Sequence, residues 1–532
     1  MVYKMHSRRR FLQNAALFST STFTTLLAQG SHARTSTQDI KDEPIDALII
    51  GSGFGGAVSA LRLGSAGIKT IVLERGRRWP ITPEQNTFAT YQNPDGRAAW
   101  LSQTTFTGAS VDLYTGVLET SVEDGITVLG GAGVGGGSLV YNAITYQPTR
   151  KLFHKVFSNS IDYEELNEVY YPRVRSILKP APIPQDILAS PYYDKTRQFI
   201  KKATAAGLPN RLYDIAVDWN IIREEITGTK LPSAILGNCW FGINSGAKNS
   251  LDRNYLALAE ATGAVEILPL HLATEITEVP QYGYRVKCHQ INETGLVVAQ
   301  KSFTCRYLFL AAGSIGTSKL LVKAKAEGAL PRLNNHVGKH WGTNGDTLGT
   351  LSNIPPVSGN GGPAAAVAEH FDNPIKPVVL EDFPNPLAPG TLSLLGLTIP
   401  EPRGRFNYDS SSSSVKLTWP YDPQIASAIK LTYEILEGTS ASNVQLGTSA
   451  TAHPLGGAVL GKACDFEGRV FGYRRLYVVD GALIPGSTGC TNPSLTIAAL
   501  AERNIQRILA KDILPEGYSK SGVRLQKDGK ES

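Results

Sequence analysis

Gly51, Gly53 and Gly56 form a G-x-G-x-x-G pattern directly after the apolar run Ile45-Asp46-Ala47-Leu48-Ile49-Ile50 and ahead of Ala57–Ala66, which has helical spacing. A strand, tight turn and helix in that order bind a dinucleotide. The first glycine permits the turn, the second lets the backbone approach a pyrophosphate at the helix N-terminus, and the third lets helix and strand pack closely. Lys69–Leu73 reads as the next strand, and Glu74, 23 residues after Gly51, is placed to accept hydrogen bonds from a ribose diol. Of nine histidines, most are expected on the surface or satisfied in the core. His453 differs by its setting, Pro454-Leu455-Gly456-Gly457, a turn that fixes the ring and clears space beside it. An imidazole held that way can accept or orient the proton of a hydroxyl. The five cysteines (Cys239, Cys288, Cys305, Cys464, Cys490) form no C-x-x-C pair, so they offer no zinc spacing and demand no disulfide framework. Cys288 and Cys305 sit where adjacent strands could pair them, but scattered cysteines are more often simply buried. No metal site is expected.

Three later segments must come back to the dinucleotide. Gly130–Ser138 holds six glycines in nine positions between Val128, Leu129 and Leu139, Val140, which predicts a buried loop whose backbone approaches something closely. Arg306–Ala311 is a buried strand that runs into Gly313-Ser314 and a helix, in the parallel sheet of the same domain. Leu476–Gly481 repeats that pattern and leads through Pro485-Gly486 and Asn492-Pro493 to a helix over Thr496–Leu509. A nucleotide domain that opens near residue 44 and closes near 511 must carry insertions. The predicted fold is α/β, or α+β overall. Residues 44–79, 126–150, 261–345 and 447–512 form the nucleotide domain, and 80–125, 151–260 and 346–446 form the inserted domain. The latter includes the Pro- and Ser-rich pieces 352–363, 384–390 and 409–414. Residues 513–532 form a polar tail.

Composition narrows the class. Among 532 residues, 42% are hydrophobic, 18% are charged and 52 are glycine, which excludes a disordered chain, a coiled coil and a disulfide scaffold. The net charge of +6 falls to +2 without residues 1–33, which hold Lys4, Arg8, Arg9 and Arg10 and no acid. Nucleic acid is therefore not the expected partner. Ser7-Arg8-Arg9-Arg10-Phe11-Leu12, the modest apolar stretch Asn14–Ala28 and Ser31-His32-Ala33 read as a twin-arginine export signal, so a periplasmic or secreted location is expected.

Taken together, these segments resemble the glucose–methanol–choline (GMC) flavoprotein oxidoreductases, cholesterol oxidase branch. The matching runs include Gly135–Val140, Cys305–Ser314, Asn335–Gly338, Trp341–Gly345, Arg403–Phe406, His453–Gly457 and Tyr477–Asn504. The resemblance implies an FAD-binding Rossmann-type domain with an inserted substrate domain built on an antiparallel sheet and helices. It extends the cofactor-binding set to Gly51, Gly53, Phe54, Gly55, Gly56, Glu74, Gly131, Gly135, Gly136, Gly137, Ser138, Asn142, Asp480, Gly481, Asn492 and Pro493. It makes His453 the group that takes the substrate hydroxyl proton and Asn492 the partner that bonds the substrate oxygen or the flavin. By register it makes Glu381, upstream of Arg403-Gly404-Arg405-Phe406, the acid that moves a proton when a sterol double bond migrates. Asp382 is the adjacent competitor. An apolar pocket would raise the pKa of that acid.

The implied activity is oxidation of a bulky secondary alcohol, most simply a 3β-hydroxysterol, to the ketone with O2 as acceptor and Δ5 to Δ4 isomerisation. Transient contact with a membrane surface would serve sterol uptake, and no obligate protein partner is implied. Ala132, Tyr141 (with Asn142 one residue late), Ala452, Ser494 and a longer turn over Ser487–Thr491 depart from the family pattern. They keep a dehydrogenase for a non-sterol alcohol, passing electrons to a quinone or haem, as the rival reading. A non-catalytic flavin or lipid carrier is a third, opposed by the joint presence of His453, Asn492 and Glu381.

Overall fold

The computed structural model describes residues 45–351, 361–384, 391–438, 444–447 and 450–516. Residues 1–33, expected to be an export signal, lie outside them, as do residues 352–360, 385–390 and 517–532 of the Pro/Ser-rich stretches and the tail. In chain order the strands of the two large sheets are β1 (Ile45–Ile50), β2 (Thr70–Leu73), β3 (Asn210–Leu212), β4 (Val265–Leu268), β5 (His271–Val279), β6 (Gly283–Ile291), β7 (Val297–Leu310), β8 (Thr347–Leu351), β9 (Ala366–His370), β10 (Val378–Phe383), β11 (Leu392–Thr398), β12 (Val444–Gly447) and β13 (Leu476–Val478). The helices that matter to the site are α1 (Phe54–Ser65), α2 (Gly313–Ala326), α3 (Pro423–Glu437) and α4 (Pro493–Ile508).

The first sheet has the order β4-β2-β1-β7-β6-β5, with β13 also paired to β7. Its strands β4, β2, β1, β7 and β13 run parallel. β1 is buried from Ala47 to Ile50, as expected of a parallel strand covered on both faces. β7 serves three partners: from Cys305 onward it lies parallel to β1 and, at its end, to β13, while its first nine residues pair antiparallel with β6. In that ladder Cys288 faces Lys301 and Cys305 faces Tyr284, so the two thiols are not opposite one another, and all five cysteines are buried and free.

The second sheet, β12-β8-β11-β10-β9-β3, is antiparallel throughout. α3 covers one face. Asp422 caps its N-terminus by accepting from Gln424 N (3.0 Å), Pro423 sits in its first turn, and Gly438 ends it at φ +67°. Two small sheets join distant segments near the site. Leu118–Glu123, Ile126–Gly131 and Ala450–Thr451 form one; Lys339–Gly342 and Leu455–Gly457 form the other.

One buried ion pair ties the ends of the nucleotide-binding region together. Glu502 on α4, with no exposed side-chain surface, accepts Arg62 Nε and Nη2 of α1 at 2.7 Å each and the Tyr255 hydroxyl at 3.0 Å. Arg62 keeps 28% exposure, so part of its charge stays solvated. Glu502→Ala leaves that guanidinium beside a buried gap and should lower stability by about 2–4 kcal/mol. The measurement is the urea midpoint of the flavin-loaded protein; an unchanged midpoint contradicts this role.

Candidate active site

A cavity of ≈ 500 Å³ runs from the C-terminal ends of β1 and β2 to the edge of the second sheet. Open parallel sheets bind ligands at this place. At one end it is lined by Gly51, Gly53, Phe54, Gly55, Glu74 and the His271–Ala273 stretch, and at the other by Asn142, His453, Asn492 and Pro493. The first end is shaped by missing side chains. A Cβ on Gly51 (φ +98°) would meet Ala311 O at 2.2 Å, one on Gly55 would meet Val479 O at 1.9 Å, and one on Gly56 would meet Gly51 O at 2.1 Å. A Cβ on Gly53 or Gly137 would instead have nothing within 4 Å. Those two open positions, with the N-terminus of α1 that no side chain caps, form a cradle that a pyrophosphate would fit. FAD, the dinucleotide implied by the sequence, fits this donor set.

The glycine-rich loop approaches the first phosphate loop itself. Gly136, at φ +54°, lies so close that a Cβ there would sit 2.7 Å from Gly53 Cα. Ser52 Oγ accepts from Gly135 N (3.0 Å) and donates to Glu74 Oε2 (2.6 Å). Glu74 also accepts from Ser52 N (3.1 Å) and Gly76 N (2.8 Å). The carboxylate expected to face only a ribose thus also ties both loops to the end of β2.

At the other end, His453 Nδ1 lies 2.8 Å from Asp346 Oδ1. The second oxygen of Asp346 accepts from Thr451 Oγ1 (2.9 Å) and Ala452 N (3.0 Å). With Nδ1–H assigned as the donor, neutral His453 keeps Nε2 as an acceptor, the form a general base needs. Burial disfavours the imidazolium, yet the Asp346 carboxylate outweighs it, and the His453 pKa is raised above its ordinary value. The turn after His453 holds its place by two glycines. A Cβ on Gly456 (φ +99°) would strike His340 O at 2.2 Å, and one on Gly457 (φ +103°) would strike Ser318 Oγ at 1.9 Å.

Asn492 is the residue before α4. Its Nδ2 donates to Glu381 Oε2 (3.1 Å), and its Oδ1 is buried without a partner among the described residues. Asn344 (φ +57°) holds the loop that delivers it, donating to Thr491 O (2.9 Å) and accepting from Thr488 N (3.0 Å) and Ser487 Oγ (3.1 Å). Glu381 on β10 is fully buried and lies behind Asn492 rather than on the cavity surface, deeper than the sequence suggests. Burial, opposed by the Asn492 hydrogen bond, pushes its pKa up to about 8. Asp382 accepts from Ala365 N (2.7 Å), Ala366 N (2.8 Å) and Thr196 Oγ1 (2.5 Å), so the neighbouring acid is spent on holding the backbone.

Of the residues expected in the site, Gly51, Gly53, Phe54, Gly55, Glu74, Gly131, Gly136, Gly137, Asn142, His453, Asp480, Gly481, Asn492 and Pro493 line the cavity. Gly56, Gly135, Ser138 and Glu381 stand behind the wall. Gly56 lets α1 close on its own turn, Gly135 supports the glycine loop at φ +112°, and Ser138 donates to Gly135 O (2.7 Å) and accepts from Leu251 N (2.9 Å). Sequence reasoning missed Asp346 and Asn344. Their one signal was position: both lie in or beside the Trp341–Gly345 run that was singled out.

Two outcomes test this geometry. Gly53 has φ −70°, so Gly53→Val meets no clash and should fold with the melting temperature of flavin-free wild type, yet purify colourless because the side chain fills the phosphate position. Full flavin content in that variant contradicts the cradle. Asp346→Asn removes the charge that favours the imidazolium, so the acidic limb of the kcat/KM profile should move to lower pH. The maximal rate should fall by about 10²-fold or more, because His453 loses its fixed tautomer. A pH profile superimposable on wild type contradicts the pairing.

Comparison with known proteins agrees with this architecture. The family profile described as GMC oxidoreductase matches residues 400–501. A cholesterol oxidase of Mycobacterium tuberculosis is 28% identical over 542 aligned positions, covering 86% of this chain and 90% of that protein. One from Acinetobacter baumannii is 24% identical, covering 90% and 96%. Among solved structures, pyridoxine 4-oxidase from Mesorbium loti superimposes with a TM-score of 0.61 at 15% identity, covering 87% of this chain and 99% of that one. An FAD-dependent oxidoreductase from Chaetomium thermophilum does so with 0.60 at 14%, covering 88% and 99%. Two large sheets, a glycine-lined cradle at one end of the cavity and a carboxylate-held histidine at the other thus occur in a chain that is similar to cholesterol oxidases over most of its length and matches the GMC oxidoreductase profile over residues 400–501.

Proposed function

We propose that this enzyme is an FAD-dependent oxidase of a bulky secondary alcohol of the 3β-hydroxysterol class, yielding the ketone and moving a Δ5 double bond to Δ4. The observation that carries the reading is His453, held by Asp346 and lining the same cavity as Asn492 and the phosphate cradle. FAD, when bound, supplies the acceptor for the carbinol hydride. His453 Nε2 accepts the hydroxyl proton as the carbinol C–H bond breaks, and the Asp346 carboxylate stabilises the imidazolium that forms. Asn492, tied by Nδ2 to Glu381, offers an unpartnered amide oxygen that orients the hydroxyl or the flavin edge. An apolar wall of Val140, Ile144, Trp240, Phe383 and Leu395 suits a hydrocarbon body, with the Trp240 and Phe383 rings 5.7 Å apart edge to face. Similarity to cholesterol oxidases over most of the chain supports the same substrate class.

Glu381 is suited to the proton transfer of isomerisation because it is neutral at physiological pH and close to giving up its proton. Removing a proton from the ring carbon needs the carboxylate, so isomerisation should rise with pH through about 8. Oxidation should follow the lower limb set by His453.

One observation favours a different electron acceptor. Tyr141, Ala452 and Ser494, where the family pattern carries Asn, an aromatic and an aromatic, all line the cavity. Tyr141 packs edge to face on Phe54 at 5.6 Å, and Ser494 donates to Ile144 O at 2.9 Å. Peroxide yield under air separates an oxidase from a dehydrogenase that uses a quinone or haem.

The two roles separate by mutation. His453→Ala should lose alcohol oxidation by about 10²–10⁴-fold while still isomerising a supplied 5-en-3-one. Glu381→Gln should still reduce the flavin with a 3β-hydroxysterol but release the unisomerised ketone. Product analysis of both variants with both substrates reads this directly. Normal 4-en-3-one formation by Glu381→Gln removes Glu381 from the reaction, and failure of wild type to turn over any sterol removes the sterol reading.

A further inference from the structure

Glu381 is sealed from solvent, and the structure offers it a way out on the face of the sheet it shares with the cavity. In the antiparallel register Glu381 of β10 pairs with Val367 of β9, which pairs with Arg211 of β3. Tyr213, just beyond β3, continues that ladder, its N–H donating to Ala365 O at 3.2 Å. Side chains alternate along a strand, so Glu381, Phe383, Val367, Glu369, Arg211 and Tyr213 all project from the same face as the cavity-lining Phe383. Tyr146 lies over this face, its ring 6.2 Å from that of Tyr213 at an interplanar angle of 19°.

The two ends of this row differ. At the outer end the Tyr146 hydroxyl donates to Glu369 Oε1 at 2.5 Å. Arg211 Nη2 donates to the same oxygen at 3.1 Å, with its guanidinium 4.9 Å above the Tyr146 ring. The Arg211 side chain is 54% exposed, so this end reaches water. At the inner end, Glu381 Oε1 and the Tyr213 hydroxyl are both buried, and neither has a partner among the described residues. Buried polar atoms left over by the protein are the positions that internal water joins. Burial first, then the charges of Glu381 and Asp382 and the Tyr146 phenol, raise the Tyr213 pKa, so its hydroxyl lies within electrostatic reach of both the inner acid and the outer phenol. Burial holds both phenols far above their ordinary pKa, so they stay neutral and can only exchange protons, not store charge.

We propose that Tyr213 and Tyr146 form a proton relay that connects the buried carboxyl of Glu381 to solvent at Glu369. In one passage the Glu381 O–H bond breaks and its proton moves through bridging water to the Tyr213 oxygen. The Tyr213 hydrogen passes outward to the Tyr146 oxygen, again through water, and the Tyr146 hydrogen passes to Glu369 Oε1. Both phenols end neutral with exchanged hydrogens, Glu369 carries one added proton that it gives to solvent, and no electron changes hands. Use of the relay during isomerisation rests on the proposed role of Glu381, but the exchange itself is a property of the folded chain.

The test is therefore spectroscopic and needs no substrate. In the flavin-loaded enzyme at mildly acidic pH, the C=O stretch of protonated Glu381, assigned by its loss in Glu381→Gln, shifts when the acid hydrogen is replaced by deuterium. After dilution into D2O, Tyr213→Phe and Tyr146→Phe should each slow that shift by roughly tenfold or more. Tyr433→Phe, a buried tyrosine bonded to Leu394 O outside the row, should exchange at the wild-type rate. Phenylalanine keeps both rings, so a packing role alone would leave the rate unmoved. Wild-type exchange in both relay variants overturns the proposal, as does a wild-type spectrum without a protonated Glu381 band. Absence of sterol turnover would sink the substrate reading and leave this measurement standing.

Discussion

Backbone meets backbone where β1 ends, and the rest of the site depends on that contact. Gly51, Gly55 and Gly56 each press against a main-chain oxygen at a distance no Cβ tolerates: Ala311 O, Val479 O and Gly51 O. Those oxygens belong to the end of β7, the segment after β13 and the first turn. The early, middle and late parts of the chain therefore converge at one point because three side chains are missing. A larger residue at any of them would push α1 away from the sheet, and the uncapped N-terminus that forms the phosphate cradle would move with it. Specific placement here comes from steric exclusion, which is steeper with distance than any hydrogen bond.

The second centre is organised by charge and amide chemistry. One short turn supports both His453 and Asn492. Asn344 holds the loop that delivers Asn492, and Asp346 holds His453 and the backbone before it. Because the two supports are two residues apart in a strained turn, the separation between His453 and Asn492 is set by local covalent geometry rather than by the packing of two sheets. That arrangement holds the two side chains within the narrow tolerance that the proposed chemistry requires.

The carboxyls in this region show how environment assigns roles to like residues. Glu381 and Asp382 are consecutive, and strand alternation sends them to opposite faces. Asp382 receives three donors and serves the backbone. Glu381 receives one and is raised to about 8 by burial. Asp346, beside an imidazole, remains its charge partner. Three acids of this region thus have different partners: Asp382 braces backbone, Glu381 is bonded only to Asn492, and Asp346 orients an imidazole.

The amino-acid sequence by itself determined the elements with strong local signals. Glycine spacing behind an apolar strand predicts the phosphate loop, and His453 stands out by its Pro-Leu-Gly-Gly turn. Asp422-Pro423 and Gly438 mark the ends of α3 through capping chemistry that acts within a few residues. The family resemblance supplied Glu381 and Asn492, and the structure joins them by a hydrogen bond. Other features were decided only by tertiary structure. The glycine-rich loop approaches the first phosphate loop, Glu74 braces two loops besides facing the cavity, and Glu381 stands one layer behind Asn492. Asp346 pairs with a histidine 107 residues away. None of these leaves a periodicity or a turn signature, because each depends on which segments the sheets bring side by side. Burial and hydrogen-bond partnership, and hence pKa, exist only after that juxtaposition is made.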